Sequence, residues 1–377
     1  MKTKVIPSFT SLLLLAIASP SWCRLLVLPA VSYSSDLGVI GSVCVFYQDK
    51  HPGRITWDAS YATKGSQSYT FQGIRPWKGA EWEWYLSYAQ DIWYRYDPID
   101  LEYHNSLVNM YCSGLKWKLA SDIDLGEKVK LGALFGFNTY RFFDADLEEP
   151  EHPGALLHFL AIPNSWINLD ETYLGIRITK DCRNNRYHSI KGIYTRLEYH
   201  LVHLSASDNP YVFRTTMDTR CMIPLWDYEQ RQHFQRLVWA QMASVGYIFN
   251  QVPDPVLFRI GGSDNLRGFP WRRFEGRGMA LYRNELRLTL IRELPDPMAS
   301  LREKFPELPE MRPALEFAVF SDVGTTWDEQ PDIKRIQMGY GTGIRIVLPP
   351  DVVGRLDVAL SDDGHYWGLY FALSQSF

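Results

Sequence analysis

The sequence predicts an all-β fold, a transmembrane antiparallel β-barrel of 16 strands with one extracellular loop folded inward. Three observations predict it. The N-terminus carries an export signal, sixteen segments alternate apolar with polar residues, and the last of these ends on an aromatic residue.

The chain opens MKTK and continues SFTSLLLLAIASPSWC, a basic start, an apolar run and small residues, as in a secretory signal peptide. The apolar run is shorter than the roughly 20 residues a membrane-spanning helix needs. Cleavage is expected after Ala18 or Cys23, which divides the chain into a signal peptide (1–23) and a single barrel domain (24–377). Aromatic residues make up 14% of the chain, with 13 Trp and 22 Tyr, while the mean hydropathy is only −0.22. High aromatic content at average hydropathy fits strands whose lipid-facing and lumen-facing residues alternate and cancel.

The sixteen segments fall near 28–36, 38–48, 54–63, 66–76, 80–94, 108–120, 129–142, 169–180, 188–203, 211–225, 234–250, 277–291, 312–326, 336–349, 354–361 and 366–377. In EWEWYLSYAQDIW, Trp82, Trp84, Leu86 and Tyr88 share one face, and Glu81, Glu83, Ser87 and Asp91 take the other. In VKLGALFGFNTY, Leu131, Ala133 and Phe135 alternate with Lys130, Gly132 and Gly136; in YTRLEYHL, Leu197, Tyr199 and Leu201 oppose Arg196, Glu198 and His200. An even strand number puts both termini on one side. Counted from a periplasmic start, the outward connections then include the long 143–168 and 251–276 segments. Most periplasmic turns are short, such as DKHPG (49–53), and a short helix is expected in the longer 292–311 turn. The chain closes GLYFALSQSF, with Leu369, Phe371, Leu373 and Phe377 on one face. Gly368, Phe371, Leu373 and the terminal Phe377 form the expected signal for assembly into the outer membrane.

Composition and motifs exclude several classes. A net charge of −4 gives no reason for nucleic-acid binding. The five cysteines (Cys23, Cys44, Cys112, Cys182, Cys221) are widely spaced, without a CxxC pair. Neither a nucleophile elbow nor HExxH occurs, so no catalytic residue, no metal site and no cofactor is expected. His200 is read as a lumen histidine rather than an acyl-hydrolase base.

One stretch, GGSDNLRGF (261–269), sets an arginine on a glycine-rich tip between the eleventh and twelfth segments. After it come GMALYRNELRLTL, FAVFSDVGTTW and GYGTGIRI. This order resembles the outer-membrane assembly and bacterial surface antigen superfamily of BamA, TamA and the two-partner secretion transporters. The family's sixth-loop tip is matched by Leu266, Arg267, Gly268 and Phe269, and its thirteenth-strand pattern by Phe320, Asp322 and Gly324. An Asp-x-Arg turn is matched by Asp181, Cys182 and Arg183 ahead of Gly192. The resemblance implies an outer membrane of a Gram-negative bacterium, and work in protein or lipid assembly or translocation through a gated or laterally opening barrel. A gated solute pore or a structural surface antigen is the alternative. The family's periplasmic POTRA domains have no counterpart expected here. The expected partners are outer-membrane lipids and either a separate periplasmic protein or a second copy of the chain.

Strand phase supports the loop assignment independently. Leu315, Phe317, Val319 and Val323 share one face of their segment, and Glu316, Phe320, Asp322 and Gly324 the other. Asp322 therefore faces the lumen, where a loop turned back into the barrel presents Arg267 for a bidentate pair. Glu285 and Arg287 are inward on the preceding strand and extend the network. A charge swap of Arg267 and Asp322 is expected to recover part of what either single change loses.

Overall fold

A computed structural model describes residues 15–17, 23–34, 38–49, 54–63, 66–78, 80–93, 110–144, 168–186, 188–205, 207, 210–230, 233–296, 299–303, 310, 312–329, 336–348 and 352–372. The strands are β1 (Leu15–Ile17), β2 (Cys23–Ser34), β3 (Gly38–Asp49), β4 (Arg54–Ala62), β5 (Gln67–Trp77), β6 (Ala80–Trp93), β7 (Met110–Gly126), β8 (Val129–Asp144), β9 (Asn168–Asp181) and β10 (Gly192–Leu204). They continue with β11 (Tyr211–Gln230), β12 (His233–Ile248), β13 (Phe258–Ile260), β14 (Phe274–Gly276), β15 (Gly278–Ile291), β16 (Ala314–Trp327), β17 (Gln337–Leu348), β18 (Val352–Ser361) and β19 (Trp367–Ala372). Among the described residues a short helix, α1 (Ala299–Arg302), lies in the turn where a helix was expected.

Strands β2–β12 and β15–β19 form one antiparallel ladder of neighbours in chain order, and that order sets β19 beside β2. These are the sixteen strands of the barrel, one for each alternating segment. The seventeenth member of the sheet, β1, pairs with the start of β2, Leu15 opposite Val27 and Ile17 opposite Leu25. It lies within the expected signal peptide, of which residues 1–14 and 18–22, like Leu373 and Phe377, fall outside the described ones. Several strands run longer than their alternation suggested: β7 continues to Gly126 and β11 to Gln230. Pro224, which has no N–H to donate, sits inside β11 at a register shift against β12.

The two faces of the wall differ as the alternation requires. Leu174, Ile176 and Ile178 on β9, Leu197, Tyr199 and Leu201 on β10, and Phe317 and Val319 on β16 are exposed outward. A broad apolar outer face of this kind suits lipid rather than water. Among the described residues no helix is long and apolar enough to cross a membrane.

Part of the chain packs inside the barrel. The segment between β12 and β15 turns inward and packs from its base. Val256, in a single 3-10 turn (Asp254–Val256), joins Leu169, Tyr173, Val202, Leu204, Val212 and Ile248 in an apolar cluster. Phe258 packs on the same cluster and lies over Gly246, where a Cβ would stand 2.6 Å from its ring. The paired β13 and β14 then carry the glycine-rich tip across to β15–β19.

Candidate functional site

The tip is built by its own backbone before it meets the wall. Asn265 Oδ1 accepts from the N–H of Gly261 (2.8 Å) and of Leu266 (2.9 Å). The Gly262 N–H donates to the carbonyls of Leu266 and Phe269, each at 3.1 Å. Gly268 has φ 95°, and a Cβ there would stand 2.5 Å from the Leu360 carbonyl oxygen. That conformation favours glycine, and the close approach demands it.

Arg267 projects from this tip, fully buried. Its Nε and Nη2 donate to the two oxygens of Asp322 at 2.6 and 2.8 Å, and its backbone N–H donates to Asp322 at 3.1 Å. Nη1 reaches Glu285 at 3.1 Å and Asp357 at 3.0 Å. The guanidinium lies 3.4 Å from the centre of the Phe320 ring, a cation–π contact. Burial opposes the charge on Arg267; the Asp322 carboxylate, with Glu285 and Asp357, outweighs burial and holds its pKa above the ordinary arginine value.

The network extends around the wall. Asp322 also accepts from Arg283 Nε (3.3 Å), and Arg283 Nη1 donates to the Asp264 carbonyl (2.8 Å). Glu285 takes Arg287 Nε at 2.8 Å and Arg345 Nη2 at 3.1 Å, while Arg345 Nη1 holds Asp357 at 2.5 Å. Arg355 joins from β18, its Nε 3.5 Å from Asp357 and its Nη2 donating to the Ser263 carbonyl. Five guanidinium groups (Arg267, Arg283, Arg287, Arg345, Arg355) thus meet three carboxylates (Glu285, Asp322, Asp357), and all eight side chains are buried.

Apolar and aromatic residues complete the seat. Leu266 and Phe269 are buried with Ile260 and Leu281, and the Phe269 ring meets Phe274 edge-on at 5.3 Å. The Tyr370 hydroxyl accepts from the Gly268 N–H (3.1 Å) and donates to the Phe269 carbonyl (3.2 Å). Gly368 makes room for that phenol, since a Cβ there would stand 2.2 Å from the Tyr370 oxygen. On β17, a Cβ at Gly339 would stand 1.7 Å from the Arg267 carbonyl oxygen, and one at Gly341 2.8 Å from Phe320. At Gly324 a Cβ would stand 2.9 Å from Ile260 of the loop.

The structure thus brings Leu266, Arg267, Gly268, Phe269, Glu285, Phe320, Asp322 and Gly324 into one site. The Asp181–Arg183 match is also a contact, Arg183 Nε and Nη2 donating to Asp181 at 2.9 and 2.8 Å. Phe371 lies on β19, three residues from Gly368 and on the opposite face from Gly368 and Tyr370, which are the β19 residues at the site. Sequence reasoning missed Arg283, Arg345, Arg355, Asp357 and Tyr370. Parity carried the signal: Arg345, Arg355 and Asp357 share the inward phase of β17 and β18 with Gly339 and Gly343. Among the described residues no group of three His, Cys, Asp or Glu side chains could hold a metal. His200 stacks on Tyr173 with ring centres 5.0 Å apart, inside the lumen.

Comparison with known proteins agrees with this fold. The profile of the Omp85 superfamily domain matches residues 45–377. Among solved structures, BamA from Haemophilus ducreyi lacking POTRA domains 1–3 superposes with a TM-score of 0.55 at 14% identity, over 97% of this chain and 75% of that one. CdiB from Acinetobacter baumannii gives 0.59 at 11% identity over 96% of this chain, and CdiB from Escherichia coli gives the same three values. This chain spans 64% and 66% of the respective CdiB chains. At such identities the likeness is one of fold. No curated protein sequence matches the chain.

Proposed function

The chain belongs to the Omp85 superfamily of outer-membrane β-barrels, and on that premise we propose that it acts, without catalysis, in assembling or translocating protein or lipid at the outer membrane by parting its first and last strands. The observation that carries the reading is the edge of β2. Its Leu25–Val27 stretch pairs with Phe46 and its neighbours of β3 on one side and accepts Leu15–Ile17 as an added strand on the other. An unsaturated edge is a template for another extended chain. Loss of β1 with the export signal would leave that stretch open beside β19.

One feature weakens the junction. Pro29, within β2, has no N–H to give to a neighbouring strand. The seated loop meanwhile packs against the β15–β19 side of the lumen, and in this reading it closes the path through the barrel at rest. Outer-membrane lipids, and a separate periplasmic protein or a second copy of this chain, are the proposed partners.

A gated solute pore is the second reading. It is favoured by the opposite wall, where charged side chains remain partly wet: Lys118 and Glu83, paired at 2.6 Å, are 24% and 21% exposed.

Cysteine pairs placed across β2 and β19 test the proposal. In cells lacking the native protein, the reduced form should restore outer-membrane composition and the disulfide-locked form should not. Equal rescue by both forms would remove strand parting from the account.

A further inference from the structure

The connection from β9 to β10, residues 182–191, is short in sequence and is the kind of charged turn that ordinarily lies in solvent. In the structure it is folded. Asn184 Oδ1 accepts from the Ser189 hydroxyl (3.1 Å) and from the N–H groups of Ile190 (3.1 Å) and Lys191 (2.9 Å). Arg183 Nη1 donates to the Arg186 carbonyl at 3.1 Å, which ties the middle of the turn to the Asp181–Arg183 pair at its root.

The turn then reaches the barrel wall on two sides. Arg186 Nη1 meets Glu81 at the start of β6 (3.1 Å), a carboxylate that also holds Lys130 at 3.0 Å. His188 Nε2 lies 3.1 and 3.3 Å from the two oxygens of Glu316 at the start of β16, and Glu316 is buried. Ile190 packs on Met222, Val238 and Ala240 of β11 and β12. In the sixteen-strand order, β6 is the fifth strand and β16 the thirteenth. They stand half a circumference apart. A turn that touches both has crossed the barrel.

We infer that residues 182–186 and 188–191 form a second plug, a strap latched across the periplasmic mouth by Arg186–Glu81 and His188–Glu316, in series with the inward loop. The latches are unequal. Arg186 is 41% exposed, and such an ion pair is weak, whereas His188 is 14% exposed against a buried carboxylate. The Arg186 side is therefore the one that opens first, with the strap swinging on its β16 contact. This assignment deepens the proposed function, since a lumen closed from both ends directs cargo toward the strand junction. It rests on the turn end being periplasmic, as that reading has it.

The test reads access to the lumen from the strap side. Met222, buried under Ile190, is replaced by cysteine in a background where the five native cysteines are serine. A membrane-impermeant maleimide is then applied to the turn-end face of oriented proteoliposomes. The strap predicts slow labelling with the native turn and labelling several-fold faster in Arg186→Ala/His188→Ala, with the 251–276 loop still protected from protease. Unchanged labelling in the folded double variant would overturn it, as would faster labelling that comes only with loss of loop protection. Should the double variant give no heat-modifiable band, Arg186→Glu, at an exposed position and facing Glu81, carries the same expectation and the same refutation. Because the readout involves neither β2 nor β19, failure of the strap and failure of strand parting are separately visible.

Discussion

Replacing Arg267 by alanine removes two hydrogen bonds to Asp322 and one each to Glu285 and Asp357, inside a site with no exposure on either partner of the main pair. Truncating one member of a buried, paired set costs about 3–5 kcal/mol, mostly from the charge left behind. Here the lower end of that range applies. Asp322 keeps Arg283, Glu285 keeps Arg287 and Arg345, and Asp357 keeps Arg345 and Arg355, so no carboxylate is stranded. The substitution also lowers the excess of guanidinium over carboxylate from two to one. Asp322→Asn works the other way, raising that excess from two to three, and should cost more than Arg267→Ala although both break the same pair. The assay is the urea midpoint of the heat-modifiable band, with protease protection of residues 251–276 read in parallel. Arg267→Ala should shift the midpoint down and expose the loop, and Asp322→Asn should do both further. If Arg267→Ala leaves the loop as protected as in the wild type, the arginine is not its anchor. If Asp322→Asn proves the milder change, the charge reasoning is wrong even with the anchor right.

The same neighbours change what a charge swap should do. Asp at position 267 would face Glu285 and Asp357, and Arg at 322 would face Arg283, so the swap should recover little in midpoint or protection; substantial recovery would mean the pair acts in isolation. Gly339→Ala would set a Cβ 1.7 Å from the Arg267 carbonyl oxygen, and Gly268→Ala adds strain at φ 95°. Both should unseat the loop at about 1–3 kcal/mol or more, seen as new cleavage within 251–276, and undiminished protection in either would contradict the seating. Tyr370→Phe removes a donor and an acceptor at once, leaving the buried Gly268 N–H unmet, and should lower the urea midpoint by the equivalent of about 1–3 kcal/mol. Deleting Phe377 should reduce the yield of folded barrel more than deleting one residue of the 292–311 turn, and equal yields would remove the terminal aromatic from assembly.

Strand alternation made the barrel legible because each strand is a local object with a period of two. The inward phase of Asp322 follows from Phe317 and Val319 on either side of Ala318, and needs no knowledge of neighbours. The Arg267–Asp322 contact was legible for the same reason, once a glycine-rich tip could be turned inward. What lay beyond was long-range register. Asp357 stands opposite Gly343, and Gly343 opposite Ala318 and then Arg287, an alignment set by the stagger of four strands together. Nothing in VVGRLDVALS alone places Asp357 within 3.0 Å of Arg267. The strap was hidden for a related reason: alternation read 188–203 as one strand, whereas β10 begins at Gly192, and only closure of the sheet brings β6 and β16 within reach of residues 188–191 and the turn before them. Tyr370 reads as one more lumen aromatic until Gly368 is seen to let its hydroxyl reach the loop.

The account depends on one claim, that the resting lumen is closed by the chain's own loop and that activity is therefore directed to the strand junction. Planar-bilayer conductance of the purified protein tests it most directly. The wild type should show no steady open level, and a variant in which residues 261–273 are deleted and the strap latches Arg186 and His188 are replaced by alanine should conduct steadily. A wild type that conducts as steadily as that variant would contradict the claim and return the protein to the class of passive pores.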